Sequence, residues 1–140
     1  MKSVNNTYLR GDGPIEEDKM SPAFEKMVKE IALLETLRHP HIVKLYETLK
    51  PKASQVPYYL MFMELCAGGD LLQFVRKRRY VEEPLVKKFM HQLTDAIGYL
   101  HHRRVVHRDI KLENILLDNL GDIKVCDFGV STEQEEGKKL

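Results

Sequence analysis

Tryptophan is absent and cysteine occurs only twice, at Cys66 and Cys126, in a chain of 140 residues. The two cysteines lie far apart, without C-x-x-C or Cys/His ligand spacing, so they supply neither a disulfide framework nor a zinc site. An intracellular, reducing compartment, the cytoplasm, is the expectation. An excess of one charge sign is also lacking: 22 Lys and Arg against 21 Asp and Glu leave a net +1. That removes any whole-chain electrostatic reason to expect nucleic acid or an anionic membrane as the main partner. No apolar run approaches the roughly 18 residues that span a bilayer, and MKSVNNTYLRGDG lacks the hydrophobic block of a secretory signal. What is present, 43% hydrophobic and 31% charged residues, suits a globular fold and excludes collagen-like or wholly disordered chains. The length corresponds to one domain or to part of a larger one.

Asn5 to Lys19 is polar, contains Gly and Pro and carries Glu16-Glu17-Asp18 without periodicity, which reads as a loop. Ser21-Pro22 is a helix start, a capping hydroxyl with proline in the first turn. Phe24, Met27, Val28, Ile31, Leu34 and Leu37 then recur at helical spacing up to His39-Pro40. At 100° per residue, Glu30 falls on the apolar side, away from Glu25, Lys29 and Thr36. A carboxylate turned inward wants a cation. Ile42–Glu47 and Tyr58–Glu64 read as strands joined by the loop Lys50–Pro57, and Ala67-Gly68-Gly69 breaks the second.

Asp70 caps a short helix bearing Leu71, Leu72, Phe74 and Val75, which runs into Arg76-Lys77-Arg78-Arg79. That basic run reads first as a solvated helix end, with a nuclear address or nucleic-acid patch left open. A long helix from about Pro84 places Val86, Phe89, Met90, Leu93, Ile97 and Leu100 at i, i+3, i+4 and i+7 spacing, which predicts deep packing. It stops near His101-His102. Ile115-Leu116-Leu117 and Ile123–Cys126, separated by Asp118-Asn119-Leu120-Gly121-Asp122, form a predicted hairpin. The polar run Glu133–Leu140 is expected to be mobile.

His107-Arg108-Asp109-Ile110-Lys111-Leu112-Glu113-Asn114 matches H-R-D-x-x-x-x-N in full, and Asp127-Phe128-Gly129 follows across the hairpin. In this order and context the two motifs resemble a protein kinase. Moving a γ-phosphoryl group needs positioning and charge neutralisation more than covalent help. By resemblance, Asp109 is the base for the substrate hydroxyl's proton and Lys111 contacts the transferred phosphate, as in serine/threonine kinases. By the same resemblance, Asn114 and Asp127 are the oxygen ligands expected for Mg²⁺. Met1-Lys2-Ser3-Val4 is similar to the strand end whose lysine holds the ATP phosphates, with Glu30 as its partner on the following helix. The long segment between them resembles the insertion of calmodulin-dependent-kinase kinases. Tyr59–Asp70 resembles the hinge strand: Met63 as gatekeeper, the backbone of Glu64 and Cys66 on adenine, Asp70 on the ribose and Leu116 beneath the adenine ring. Leu34, Leu45, His107 and Phe128 match the regulatory spine, and Arg108 the arginine that binds an activation-loop phosphate. Cys126, beside Asp127, reads as an inert buried thiol before a modifiable one.

The resemblance implies an α+β, partial protein-kinase-like fold over 1–140: N-lobe sheet and regulatory helix in 1–63, hinge in 64–70, the start of the C-lobe in 71–140. It lacks a glycine-rich loop before Lys2 and an A-P-E motif after Gly129. The implied activity is ATP- and Mg²⁺-dependent phosphorylation of protein Ser/Thr, in the calmodulin-dependent and AMP-activated-like group. Glu113 and Asp70 suggest basic residues flanking the acceptor. The alternative is a truncated, catalytically inactive kinase that binds nucleotide or a regulatory partner, its apolar Val86–Leu100 and Ile115–Leu117 surfaces left uncovered.

Overall fold

In the computed structural model of the protein, residues 5–10, 22–50 and 58–133 are described. Their contacts divide the chain into two units, one of residues 1–37 and 44–65, the other of 38–43 and 66–140.

The first unit joins one helix to an antiparallel sheet. Strand β1 (Asn5–Arg10) pairs with β3 (Tyr58–Met63), which pairs on its other edge with β2 (Leu45–Leu49). A strand over Asn5–Arg10 corrects the loop expected there. The polar stretch is extended because β3, rich in aromatic and β-forming side chains, supplies an edge for it, and tertiary pairing overrides weak local preference. Between Leu45 and Glu47 the β2–β3 register shifts, leaving Tyr46 as the extra residue of a bulge and half exposed. Helix α1 (Pro22–Thr36) begins with proline in its first turn and turns Phe24, Ile31, Leu33 and Leu34 inward. Phe24 meets the Tyr59 ring at 5.8 Å. Glu30 is half-buried while Glu25, Lys29 and Thr36 are exposed, as the helical spacing requires. Ser21 and the segment 51–57 lie outside the described residues.

The second unit is built on two helices and two small sheets. Strand β4 (Gly69–Asp70) leads into α2 (Leu71–Lys77), followed by α3 (Glu83–His102). Strand β5 (Val105–Val106), a 3₁₀ turn (Leu112–Asn114), β6 (Ile115–Leu117) and β7 (Ile123–Val125) come next, and β8 (Thr132–Glu133) closes back on β5. The hairpin β6–β7 forms as its turn residues predict, with Leu117 opposite Ile123 and Ile115 opposite Val125. Leu71, Phe89, Ile115, Leu117 and Ile123 make a continuous core, with Phe74, Leu85 and Leu93 packed on it.

Two further expectations are corrected here. The strand expected from Ile42 begins at Leu45. Ile42 and Val43 join the second unit instead, where Val43 N donates to Val125 O (2.9 Å) and Val125 N to His41 O (2.8 Å). On α3 the buried line is Phe89, Gln92, Ala96 and Leu100, whereas Val86 (42%) and Met90 (53%) face outward. A long run at i, i+3 and i+4 spacing marks a stripe wider than one small hairpin covers. No helix among the described residues is long and apolar enough to cross a membrane.

Candidate functional site

The site of the second unit grows from the loop after β5. His107 is buried, its ring meeting Phe128 at 4.8 Å edge-on, and its Nε2 lies 2.9 Å from Cys126 O. A nitrogen facing a carbonyl must carry the proton, so Nδ1 is the acceptor that takes Asp109 N at 3.3 Å. One imidazole thus ties the loop bearing Asp109 to the strand end bearing Asp127.

Around Asp109 the polar groups converge. Lys111 Nζ lies 2.7 Å from Asp109 Oδ2, and Asn114 Nδ2 donates to the same oxygen and to Asp109 O, each at 2.9 Å. Both side-chain donors fall on Oδ2. The Lys111 hydrogen bond, with that from Asn114, holds the Asp109 carboxyl below the usual carboxylate range, and Asp109 in turn raises Lys111. Asp127 adds its own pull on Lys111. The link to Asp127 runs through Cys126, whose N–H donates to Asn114 O at 2.9 Å and whose Sγ lies 3.4 Å from it. Asp127 stands exposed in the left-handed region, φ 62°, as do Arg108 (67°) and Arg104 (61°). Two of these non-glycine residues, Arg108 and Asp127, lie in the loops that His107 ties together and mark local backbone strain there, while Arg104 sits in the turn before β5.

Arg108 Nε donates to Val130 O at 2.6 Å, so its guanidinium already holds the segment after Asp127-Phe128-Gly129. Ser131 N reaches back to Phe128 O at 2.9 Å.

A second group assembles at β4. Gly68 N donates to Leu117 O (2.9 Å), and Asp70 lies opposite Leu116 across the β4–β6 ladder. A Cβ on Gly68 would stand 2.6 Å from Leu117 Cβ, so only glycine allows this approach. Asp70 is the N-cap of α2: Oδ1 accepts Gln73 N and Oδ2 accepts Gln73 Nε2, both at 2.7 Å. Cys66 O accepts Gly69 N at 3.3 Å, and the two cysteines are not joined in a disulfide. In the first unit, Met63 ends β3, and Glu64 pairs with Lys44 twice, N–H to Lys44 O at 2.8 Å and Oε2 from Lys44 N at 3.2 Å. Leu34 and Leu45 are buried there. Lys2 lies outside the described residues, and with it the expected pair to Glu30.

The protein kinase domain family matches residues 14–140. The chain belongs to that family. It is 40% identical over 116 residues to probable serine/threonine-protein kinase MARK-C of Dictyostelium discoideum, covering 83% of this chain and 15% of that one. Against NUAK family SNF1-like kinase 2 of Homo sapiens it is 40% identical over 112 residues, 80% of this chain and 17% of that one. CBL-interacting serine/threonine-protein kinase 24 of Arabidopsis thaliana matches at 40% over 116 residues, 83% and 25%. The chain therefore spans a quarter or less of the length of these relatives. The α+β architecture is that of a partial kinase domain. The match to the family starts downstream of Lys2.

Kinases of this family use ATP and Mg²⁺. The donors at the site suit a hard cation: the Asp127 carboxylate, and the side-chain oxygen of an Asn114 whose amide nitrogen is already committed to Asp109. No cluster of three His, Cys, Asp or Glu able to hold a metal occurs among the described residues. Two protein oxygens, with phosphate and water completing the shell, is the arrangement Mg²⁺ favours.

Sequence reasoning passed over one polar assembly entirely. Lys88 and Gln92 of α3 grip the β6–β7 turn at Gly121, Asp122 and Ile123. The available signal was a glutamine inside the apolar stripe, between Phe89 and Ala96.

Proposed function

We propose that the protein containing this chain transfers the γ-phosphoryl group of ATP to serine or threonine hydroxyls of other proteins. The observation that supports it most is the double grip of Lys111 and Asn114 on Asp109 Oδ2. It orients the carboxylate, keeps it ionised and leaves Oδ1 to accept the proton of an incoming hydroxyl. Lys111, cationic through its pairing, is placed to meet the transferred phosphate. Asn114 and Asp127 would hold Mg²⁺, which neutralises phosphate charge when bound. Cys66, Glu64 and Met63 serve adenine in this reading, Leu116 and Asp70 the base and ribose, and Lys2 with Glu30 the phosphates. Glu113, exposed beside the catalytic loop, and Asp70 favour acceptors flanked by basic residues. The setting is the cytoplasm, in keeping with two cysteines that are not joined in a disulfide.

The test is transfer of labelled phosphate from ATP to peptide panels, with and without Mg²⁺, for the protein and for Asp109→Asn. Mg²⁺-dependent labelling of Ser or Thr peptides that Asp109→Asn abolishes supports the reading. Nucleotide binding without turnover would return the chain to the alternative, an inactive regulatory module.

A further inference from the structure

The loops that carry Asp109, Asn114 and Asp127 hang on strands of three residues or fewer. Strands that short hold their register weakly, and a slip of one residue would turn every side chain to the opposite face. For β7 this matters directly, because Asp127 follows it after a single residue.

Helix α3 addresses the problem with a buried amide. Gln92, 8% exposed, lies among Phe89, Leu93 and Ala96. Its Oε1 accepts Ile123 N at 3.1 Å, and its Nε2 donates to Asp122 Oδ1 at 2.6 Å. Lys88, one turn earlier, sets Nζ 2.8 Å from the same Asp122 oxygen and donates to Gly121 O at 3.0 Å. Within the turn, Asp118 Oδ1 accepts Leu120 N (2.8 Å) and Asp122 N (2.9 Å). The turn is thereby closed on itself and pinned to the helix at the first residue of β7. From that pin the strand runs Ile123, Lys124, Val125 to Cys126, whose N–H binds Asn114 O.

We infer that Gln92 is a positioning residue for the proposed phosphotransfer: it fixes the register of β7 and so the spacing of Asp127 from Asn114. The inference rests on the function proposed above. Chemistry singles out an amide at this position. Ile123 N needs an acceptor and the Asp122 carboxylate needs a donor, and one primary amide provides both. A carboxylate at 92 would face Asp122 with like charge, and an apolar side chain would leave a buried donor without a partner.

Three variants test this in the intact protein: Gln92→Met, which keeps the volume and removes both hydrogen bonds; Gln92→Glu; and Gln92→Glu with Asp122→Asn. In the double variant only the 92–122 bond is reversed, the new amide at 122 donating to the new carboxylate at 92, which still accepts Ile123 N and, one turn after Lys88, takes over the ammonium that Asp122 held. Leu93→Ala serves as a packing control of comparable loss in Tm. The readouts are the Mg²⁺ concentration giving half-maximal phosphotransfer and, without metal or nucleotide, hydrogen exchange at the Ile123 and Cys126 amides. Gln92→Met and Gln92→Glu are expected to raise the Mg²⁺ requirement about tenfold and to speed exchange about tenfold, the scale of one net hydrogen bond. The double variant is expected to return both to within about threefold of the original, and Leu93→Ala to leave the Mg²⁺ requirement unchanged.

A Gln92→Met protein whose Mg²⁺ requirement stays with that of Leu93→Ala would overturn the inference, as would failure of the double variant to rescue either readout. Absence of any Mg²⁺-dependent phosphotransfer in the unsubstituted protein would instead overturn the function on which it rests.

Discussion

Lys111 Nζ and Asn114 Nδ2 meet on a single oxygen of Asp109, at 2.7 and 2.9 Å. The 3₁₀ turn that follows Lys111 brings Asn114 back under the loop, its side chain buried. One carboxylate oxygen therefore takes both side-chain donors.

The acidity of Asp109 follows from this arrangement. Its carboxyl lies below the ordinary 3.8 chiefly because of Lys111. Lys111→Met should move it back towards that ordinary value, read as a ¹³C carboxyl titration. A midpoint that does not rise would remove Lys111 as the cause. On activity, Asp109→Asn should lower phosphotransfer about 10²- to 10⁴-fold, the usual weight of a general base, with little change in KM for ATP.

Acid should weaken the fold at His39. Burial holds this imidazole below its ordinary 6.5, and His41 and Lys124 push the same way. Asp95, 3.3 Å from Nε2, pulls it up without prevailing. Nδ1 meanwhile accepts His41 N at 3.2 Å, a bond that protonation would forfeit. With the folded value lowered, the unfolded chain takes the proton first. Stability is then full above about 6.5 and falls as pH drops through that value towards the folded one. Urea unfolding at several pH values should show this slope in the native protein and a flatter one in His39→Gln; equal slopes would acquit His39.

Glycines 68 and 69 should fail for different reasons when replaced by alanine. At Gly68 the new Cβ meets Leu117 at 2.6 Å, and prying β4 from β6 should cost about 1–3 kcal/mol. At Gly69 nothing lies within 4 Å, but φ of +73° puts the cost in the backbone, about 1–2 kcal/mol. The atoms in the way at Gly68 are the Cβ and backbone of Leu117, which Leu117→Ala keeps, so that change should relieve neither loss; relief of Gly68→Ala in a denaturation cycle would move the cause to the outer Leu117 side chain.

Helix α3 divides into a packed line and an open one. Leu100→Ala, at a position of 0% exposure, should lose about 2–5 kcal/mol. Met90→Ala, at 53% exposure, should stay within about 0.5 kcal/mol. Similar losses at both would mean that the Met90 face is covered in solution.

Legibility in the sequence followed the range of the forces involved. Helices α1 and α3 and the β6–β7 hairpin were readable because their signals, apolar spacing and turn chemistry, act over a few residues. Asp109, Lys111, Asn114 and Asp127 were readable as a motif and are drawn together by His107 and Cys126. Strand β1 was not readable, since a polar stretch becomes a strand only when another strand offers its edge. Nor was the outward turn of Val86 and Met90, because periodicity says which residues share a face and not how much of that face is covered. Gln92 belongs with these: its partners lie on the other side of the hairpin turn, and spacing along one helix cannot name them.

Residues 38–43 carry a consequence for dissecting the protein. They precede β2 in the chain, yet both Val125 backbone groups find their partners there, at His41 O and Val43 N. A contiguous piece cut at Cys66 would present β7 with a bare edge, an invitation to pair with a neighbouring molecule. Adding Arg38–Val43 as a separate peptide, or grafting it through a linker, should keep such a piece in solution. The smallest self-sufficient form of this unit is thus discontinuous in sequence, and any scheme that trims or permutes the chain has to carry that strap along.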